Sequence, residues 1–160
     1  MNKWIKYIAL TAAGTVLSTG GAFAGNTAVV NQNSGGSATI IQSGKDNTAR
    51  IVQGGKSSVS KKVGTRKQRG NRSIIRQSGD HNTAHQTQDG DDNIGLVDQQ
   101  GDSNTVTQEQ TGKRNLAAAS LEGNDNTITH SQTGDGLMRT IIEVGDGKTI
   151  AVSQSGLDRK

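Results

Sequence analysis

From Gly25 to the C-terminus the sequence has no cysteine, no proline and no aromatic residue; its only rings are Trp4, Tyr7 and Phe23. Each absence removes an option. Without cysteine, no disulfide can staple a small exported fold. Without aromatic side chains, a compact core lacks its largest contributions, and no ring is available on which a nucleic-acid base could stack. Without proline, no strand edge is blocked by a residue that cannot donate. Hydrophobic residues make up only 29% of the 160, which by composition alone describes a disordered chain.

What is present is glycine at a fixed interval. Gly79, Gly90, Gly101, Gly112, Gly123, Gly134, Gly145 and Gly156 follow one another at an unbroken spacing of eleven. The clearest unit runs from Gln77 to Gln88 and reads Q-x-G-x-x-N-x-A-x-x-x-Q, the last Gln opening the next unit. A fixed short period means stacked repeats, which can bury backbone and small side chains layer on layer. The periodicity therefore overrides the composition.

The first 24 residues have the form of an export signal: Lys3 and Lys6, then an apolar stretch from Tyr7 to Leu17, then Ala22-Phe23-Ala24. Cleavage is expected between Ala24 and Gly25, and the segment is too short for a stable membrane span. This divides the chain into a leader, 1–24, and one repeat domain, 25–160. Loss of Lys3 and Lys6 lowers the formal charge from +4 to +2. What remains is uneven. Nine Lys or Arg and no acid lie between Asn47 and Gly79; seven acids and no Lys or Arg lie between Asp80 and Gln110. These are two solvated surfaces, or an asymmetric particle whose basic part meets an anionic surface.

With the Asn of each unit as position zero, twelve units begin at Asn26, Gly36, Asn47, Ser58, Asn71, Asn82, Asn93, Asn104, Asn115, Asn126, Leu137 and Lys148. The one large irregularity follows Ser58 and is read as an enlarged basic turn near 61–70, carrying Lys61, Lys62, Arg66, Lys67 and Arg69, with Arg72 beyond it. Positions +2 and +4 are mostly small or apolar, +6 is Gln in nine units, and the residues between are mostly polar. That alternation predicts strands with one buried face, and Gly flanked by Asp, Ser and Asn predicts turns. Position +4 is apolar in odd units (Val30, Ile51, Ile75, Val97, Ala119, Ile141) but holds Gln86, Gln108 and His130 in the even units six to ten. The expected fold is all-β: a β-solenoid of strand-turn-strand layers, 22 residues per layer and about six layers.

In such a stack Gln32, Gln42, Gln53, Gln77, Gln88, Gln99, Gln110, Gln132 and Gln154 form amide ladders, and Asn47, Asn71, Asn82, Asn93, Asn104, Asn115 and Asn126 form others of the same kind. The turn glycines are Gly44, Gly55, Gly79, Gly90, Gly101, Gly112, Gly123, Gly134, Gly145 and Gly156. The ends carry unpaired backbone and amide groups, a template for another chain.

The repeat resembles that of the curlin family, the subunits of curli fibres. Gln42 to Gln53 and Gln77 to Gln88 match it at every specified position. Asn26-Thr27-Ala28 to Gln32 and Asn71-Arg72-Ser73 to Gln77 match its second half, the latter with Ser for Ala. The resemblance covers nearly all of 26–156. It implies a functional amyloid of the bacterial cell surface and extracellular matrix, supporting adhesion and biofilm. It implies self-assembly with a second curlin subunit, passage through an outer-membrane curli secretion apparatus, and a periplasmic chaperone. Two features depart from a major subunit. Repeats begin almost directly after Ala24, and the last units degrade, with Arg139 at +2, Glu143 at +6, and Leu137 and Lys148 at zero. A minor, nucleator-like subunit fits these better.

The alternative is a soluble secreted β-solenoid adhesin that does not polymerise. A calcium-binding β-roll shares the Gly-Asp pairs, but its period is nine. An ice- or surface-binding face would use Thr83, Thr105, Thr127 and Thr149, but each stands without a neighbouring Thr, and a disordered linker ignores the period. No enzyme, cofactor or metal site is expected: His81 and His85 are four apart in a strand-turn context, not on one helix face. Specific nucleic-acid binding is not expected either, although DNA could meet the basic turn non-specifically.

Overall fold

Turn residues every eleven positions and alternating polarity between them should give short strands separated by sharp bends, and they do. The computed structural model describes residues 7–11, 15–18, 25–32, 36–55 and 70–156. Among these it has thirteen strands and no helix: β1 (Tyr7–Thr11), β2 (Thr15–Ser18), β3 (Thr27–Gln32), β4 (Ser37–Ser43), β5 (Thr48–Gly54), β6 (Arg72–Ser78), β7 (Thr83–Asp91), β8 (Ile94–Gln100), β9 (Thr105–Lys113), β10 (Leu116–Glu122), β11 (Thr127–Thr133), β12 (Met138–Val144) and β13 (Thr149–Ser155). Odd strands form one parallel sheet, in the order β1-β3-β5-β7-β9-β11-β13. Even strands form the other, from β2 up to β12. The chain thus crosses from sheet to sheet at every turn and climbs one layer per two strands. Thr83, Thr105, Thr127 and Thr149 stack in register, each 22 residues after the last. The result is a β-solenoid of about five turns.

The core lies between the sheets and is thin. In β8 and β10 every second residue is buried. The even sheet contributes Ile40, Ile75, Val97, Ala119 and Ile141, all at most 7% exposed. The odd sheet contributes Val30, Ile51, Val106 and Ile128 beside Ala28, Ala49 and Ala84. Small residues make room for larger ones opposite them. A Cβ on Gly95 would lie 1.9 Å from the Nε2 of Gln86, so the missing side chain in one sheet is the space filled by an amide from the other.

The turns explain the glycines. Gly44, Gly79, Gly90, Gly101, Gly112, Gly123, Gly134 and Gly145 all have φ between +105° and +134°. At all of these but Gly145 a Cβ would also strike the next layer, for instance 2.1 Å from the carbonyl oxygen of Gly123 at Gly101. Two residues later each turn bends left-handed again, at Asp46, His81, Asp92, Ser103, Arg114, Asp125, Gly136 and Gly147. Gly55 and Gly156, also expected as turn glycines, are the last described residues before 56–69 and 157–160.

One expectation fails. The layer expected from the unit at Ser58, whose residues lie outside the described ones, is not found between its neighbours: β5 pairs directly with β7 (Thr48↔Thr83) and β4 directly with β6 (Ser37↔Arg72). The interval between stacked residues is 35 there instead of 22. The physical reason is at the inward positions: that unit would place Lys62 and Gly64 where its neighbours place Ile and Gln, and an unpaired ammonium in a closed layer costs several kcal/mol. Among the described residues eleven repeat strands make the stack, not twelve, and the odd-even pattern changes phase. Val30 and Ile51 lie beneath Gln86, Gln108 and His130, not in the column of Ile75. The Thr column likewise extends down through Thr48 and Thr27.

Gly101→Ala is expected to destabilise the fold by at least about 2 kcal/mol, since it adds both left-handed strain and a clash. Gly136→Ala, where no atom lies within 4 Å of the added Cβ, should cost only about 1 kcal/mol. Denaturant unfolding of the two variants measures the difference; equal losses would mean that layer spacing does not constrain the turn.

Candidate functional site

The residues that give the chain its chemistry are the polar side chains that point inward. Eight glutamines of the +6 position (Gln32, Gln42, Gln53, Gln77, Gln88, Gln99, Gln110, Gln132) are at most 3% exposed, and Gln154 in the last strand is half-buried. All but Gln32, whose amide is buried without a partner, form two ladders. In the even sheet Gln42 Nε2 donates to Gln77 Oε1, and Gln77 Nε2 to Gln99 Oε1, both at 2.9 Å. In the odd sheet Gln53, Gln88, Gln110, Gln132 and Gln154 are joined in the same direction at 2.8–3.1 Å. The second proton on each Nε2 crosses the core: Gln77 donates to the carbonyl of Thr48 at 3.1 Å, Gln88 to that of Arg72 at 3.1 Å, and Gln110 to that of Ile94 at 3.0 Å. Each amide thus ties layer to layer and sheet to sheet. Ser73 adds a link, donating to Gln88 Oε1 at 2.7 Å and accepting from Gln53 Nε2 at 3.0 Å. The even ladder stops at Gln99, because Leu121 and then Glu143 follow in its column.

Asn47, Asn71, Asn82, Asn93, Asn104, Asn115 and Asn126 are buried as expected, but they do not bond to one another through their side chains. Each Oδ1 accepts the backbone N–H of the next layer, as from Asn104 N to Asn82 at 3.1 Å and Asn126 N to Asn104 at 3.1 Å. Each Nδ2 donates to the next layer's turn glycine, as Asn82 does to Gly101 O at 2.7 Å and Asn104 to Gly123 O at 2.7 Å. The cause is position: at the corner of a turn the nearest partners are backbone groups that no strand satisfies.

A third ladder was not expected. Where an Asp or Asn follows the turn glycine, its Oδ1 accepts a backbone N–H from the layer before: Lys45 N to Asp80 at 2.8 Å, Asp80 N to Asp102 at 2.7 Å, Asp102 N to Asn124 at 2.8 Å, Asn124 N to Asp146 at 2.7 Å, and Lys113 N to Asp135 at 2.7 Å. The recurring Gly-Asp pair was its signal. It serves the turn.

The column Gln86, Gln108, His130 has a flaw. Gln86 Nε2 donates to Gln108 Oε1 at 2.6 Å. His130 sits in the next layer, 1% exposed, with neither ring nitrogen bonded, and Gln108 Nε2 is left unpaired beneath it. Burial, with the Arg139 cation as a smaller contribution, holds His130 below the usual imidazole range. His85, on the outer face near Arg50 and Glu109, is also lowered, by burial first, then by Arg50, with Glu109 opposing. His81 instead faces Asp46 at 3.7 Å, both largely exposed. Among the described residues no group of three His, Cys, Asp or Glu could hold a metal ion, and no helix is long and apolar enough to cross a membrane.

Of the expected basic patch, Arg72 is exposed at the start of β6, while Lys61, Lys62, Arg66, Lys67 and Arg69 lie outside the described residues. So does Ala24 at the expected cleavage point; Gly25 begins the described repeat segment.

Residues 101–134 match the family model of the curlin associated repeat. The match spans β9, β10 and β11, and the strands outside it carry the same Gln, Gly and Asn columns, so it supports the curlin family for the chain. No match was found among curated proteins or among solved structures.

Gln99→Lys is expected to cost about 3–5 kcal/mol and block assembly, because it leaves a charge unpaired in a site that is 0% exposed. Gln99→Leu should cost only about 1–3 kcal/mol, the loss of one acceptor for Gln77. Unchanged stability of the Lys variant would place Gln99 in solvent. For His130 the sign is as follows. Its folded pKa is below its unfolded value, so the unfolded chain takes the proton first. Stability is then full above about pH 6.5 and falls as pH drops below it. His130→Gln, which continues the column and gives Gln108 Nε2 an acceptor, should raise stability by about 1 kcal/mol and flatten the pH profile between about pH 5 and 7. Unfolding midpoints across that range check both statements.

Proposed function

We propose that the chain is a structural subunit of an extracellular curli-type amyloid fibre, supporting adhesion and the biofilm matrix. The observation that carries this is the in-register stack of identical amides, whose rungs repeat along one axis through parallel strands. An edge of unpaired N–H and C=O groups is a template for the next chain, and rows of like amides are the bonding of cross-β fibres. Among the described residues neither the inward side chains nor the turns offer a catalytic arrangement, and we read the protein as non-enzymatic.

In this reading residues 1–24 are an export leader, removed between Ala24 and Gly25, and the repeat domain leaves the cell through a curli-type secretion apparatus with a periplasmic chaperone. It joins a second curlin subunit and other copies of itself at the cell surface, in the manner of a nucleating or minor subunit. The basic segment Lys61, Lys62, Arg66, Lys67 and Arg69, together with Arg72 exposed at the start of β6, is a contact for anionic surfaces.

X-ray fibre diffraction of the exported chain is the test. A sharp meridional reflection at about 4.7 Å with an equatorial one near about 10 Å is the expected outcome. A solution that gives no fibres under any condition would overturn the fibre reading and leave a soluble solenoid adhesin.

A further inference from the structure

The ladders have a direction, and the two ends of the stack are therefore different surfaces. Within the stack a Gln offers its Nε2 upward and its Oε1 downward. An Asn offers its Oδ1 upward, to the backbone N–H of the next layer. A layer can be continued only if its uppermost residues supply those groups.

The C-terminal layer does not. At position zero Leu137 and Lys148 replace Asn, so neither presents an acceptor to a layer above, although their own N–H groups donate to Asn115 at 2.8 Å and Asn126 at 2.9 Å. At +6 Glu143 follows Leu121 and Gln99 in the even column. An ionised carboxylate accepts but cannot donate, so it would meet the Oε1 of an incoming Gln as acceptor against acceptor. Arg139, at an inward position, would be covered as a cation with no partner. Of the four rungs that continue elsewhere in the stack, only that of Gln154 remains.

The N-terminal edge is the reverse. Asn26 before β3, Ala28, Val30 and Gln32 in it, and Ala38, Ile40 and Gln42 in β4 are all standard for the repeat and buried; only Gly36 at position zero departs from Asn. This edge already takes parallel strands in register, with Tyr7–Thr11 on β3 and Thr15–Ser18 on β4. Among the described residues no strand pairs with the outer edge of β12 or β13. Gln32, 3% exposed, has no partner for either amide atom: its Nε2 and Gln53 Oε1 in the next layer leave one rung unmade, and its Oε1 leaves another unfilled on the edge side.

We infer that this chain is a fibre-end subunit: it docks by its β3–β4 edge onto a second curlin-type chain whose last layer keeps Asn at position zero and Gln at +6, and its own β12–β13 layer closes the stack. The inference rests on the fibre reading above and on removal of the leader, whose strands occupy the docking edge. Joining copy to copy would place Glu143 beneath Gln32 or Gln42, and Leu137 and Lys148 beneath Asn26 and Gly36, whichever sheet continues into which. Self-joining is the mismatched contact; joining a chain with a complete last layer is the matched one.

The test compares the exported wild-type chain with the variant Leu137→Asn, Arg139→Ala, Glu143→Gln, Lys148→Asn, each residue being one that already occupies the same position in other layers. Seeded elongation of the variant from its own fibres should be about tenfold faster or more, since each restored rung strengthens the joint. A substoichiometric amount of wild-type chain added to growing variant fibres should slow them, because it docks and leaves a closed end. Equal elongation rates, or wild-type chain that extends variant fibres as well as the variant itself, would overturn the inference and leave the fibre reading intact. Absence of fibres from both chains would overturn the two together.

Discussion

Everything in this fold depends on a primary amide having both a donor with two protons and an acceptor on one rigid plane. A buried Gln can therefore satisfy itself through a copy of itself one layer away and still send a proton across to the facing sheet. That solves the problem set by the composition. With no Phe, Tyr or Trp and few large aliphatic side chains, the space between the sheets cannot be filled by apolar volume. It is filled by groups that would be a burden in an ordinary core and are here mostly bonded to their own kind or to backbone. The cost is strict register. A one-residue slip would turn every Gln outward, so strand length, turn geometry and layer spacing must repeat together.

That requirement reaches into the turns. The carbonyl of one turn glycine lies where a Cβ of the glycine below would be. Close stacking, not only left-handed geometry, excludes side chains there. The Asn and Asp ladders have the same origin. A turn leaves backbone N–H and C=O groups without strand partners, and in a stacked fold the nearest polar side chain belongs to another layer. Asn inside the corner and Asp outside it each hold the next or preceding turn in place, as Asn82 does for Gly101 and Asp102 for Asp80.

Much of this was legible in the sequence because identical positions are neighbours in space. The eleven-residue period gave the strands, the alternation gave the buried face, and the recurrence of Gln at +6 gave the ladder with Gln77 beneath Gln99. What could not be read is where the periodic pattern continues in sequence but fails in energy. Ser58 falls eleven residues after Asn47, yet the inward positions of its unit include Lys62, and β5 pairs directly with β7. Because two sheets alternate, losing one unit moved every earlier strand to the other column, so Ile51 meets Gln86. The partner chosen by Asn was hidden for another reason. Asn and Gln share a functional group, and only the distance from backbone to amide decides whether a copy or a carbonyl is in reach.

Directionality is the last consequence. A ladder of hydrophobic residues would look the same from above and below. A ladder of amides does not, since each rung gives in one direction and receives in the other. A stack built this way has a polarity inherited from the first layer, and the identity of the last residues in each column decides whether it goes on. Leu121 already shows that a column can lose its amide inside the molecule without breaking the fold, since an apolar residue in a closed layer leaves only one acceptor missing. Charge at the same depth is different, because it must remain wet. Glu143 and Arg139 stay within reach of water only while nothing covers them. Substitutions that an interior layer would reject are therefore tolerated at the end of the stack, and their presence there is itself a statement about which face was selected to remain open.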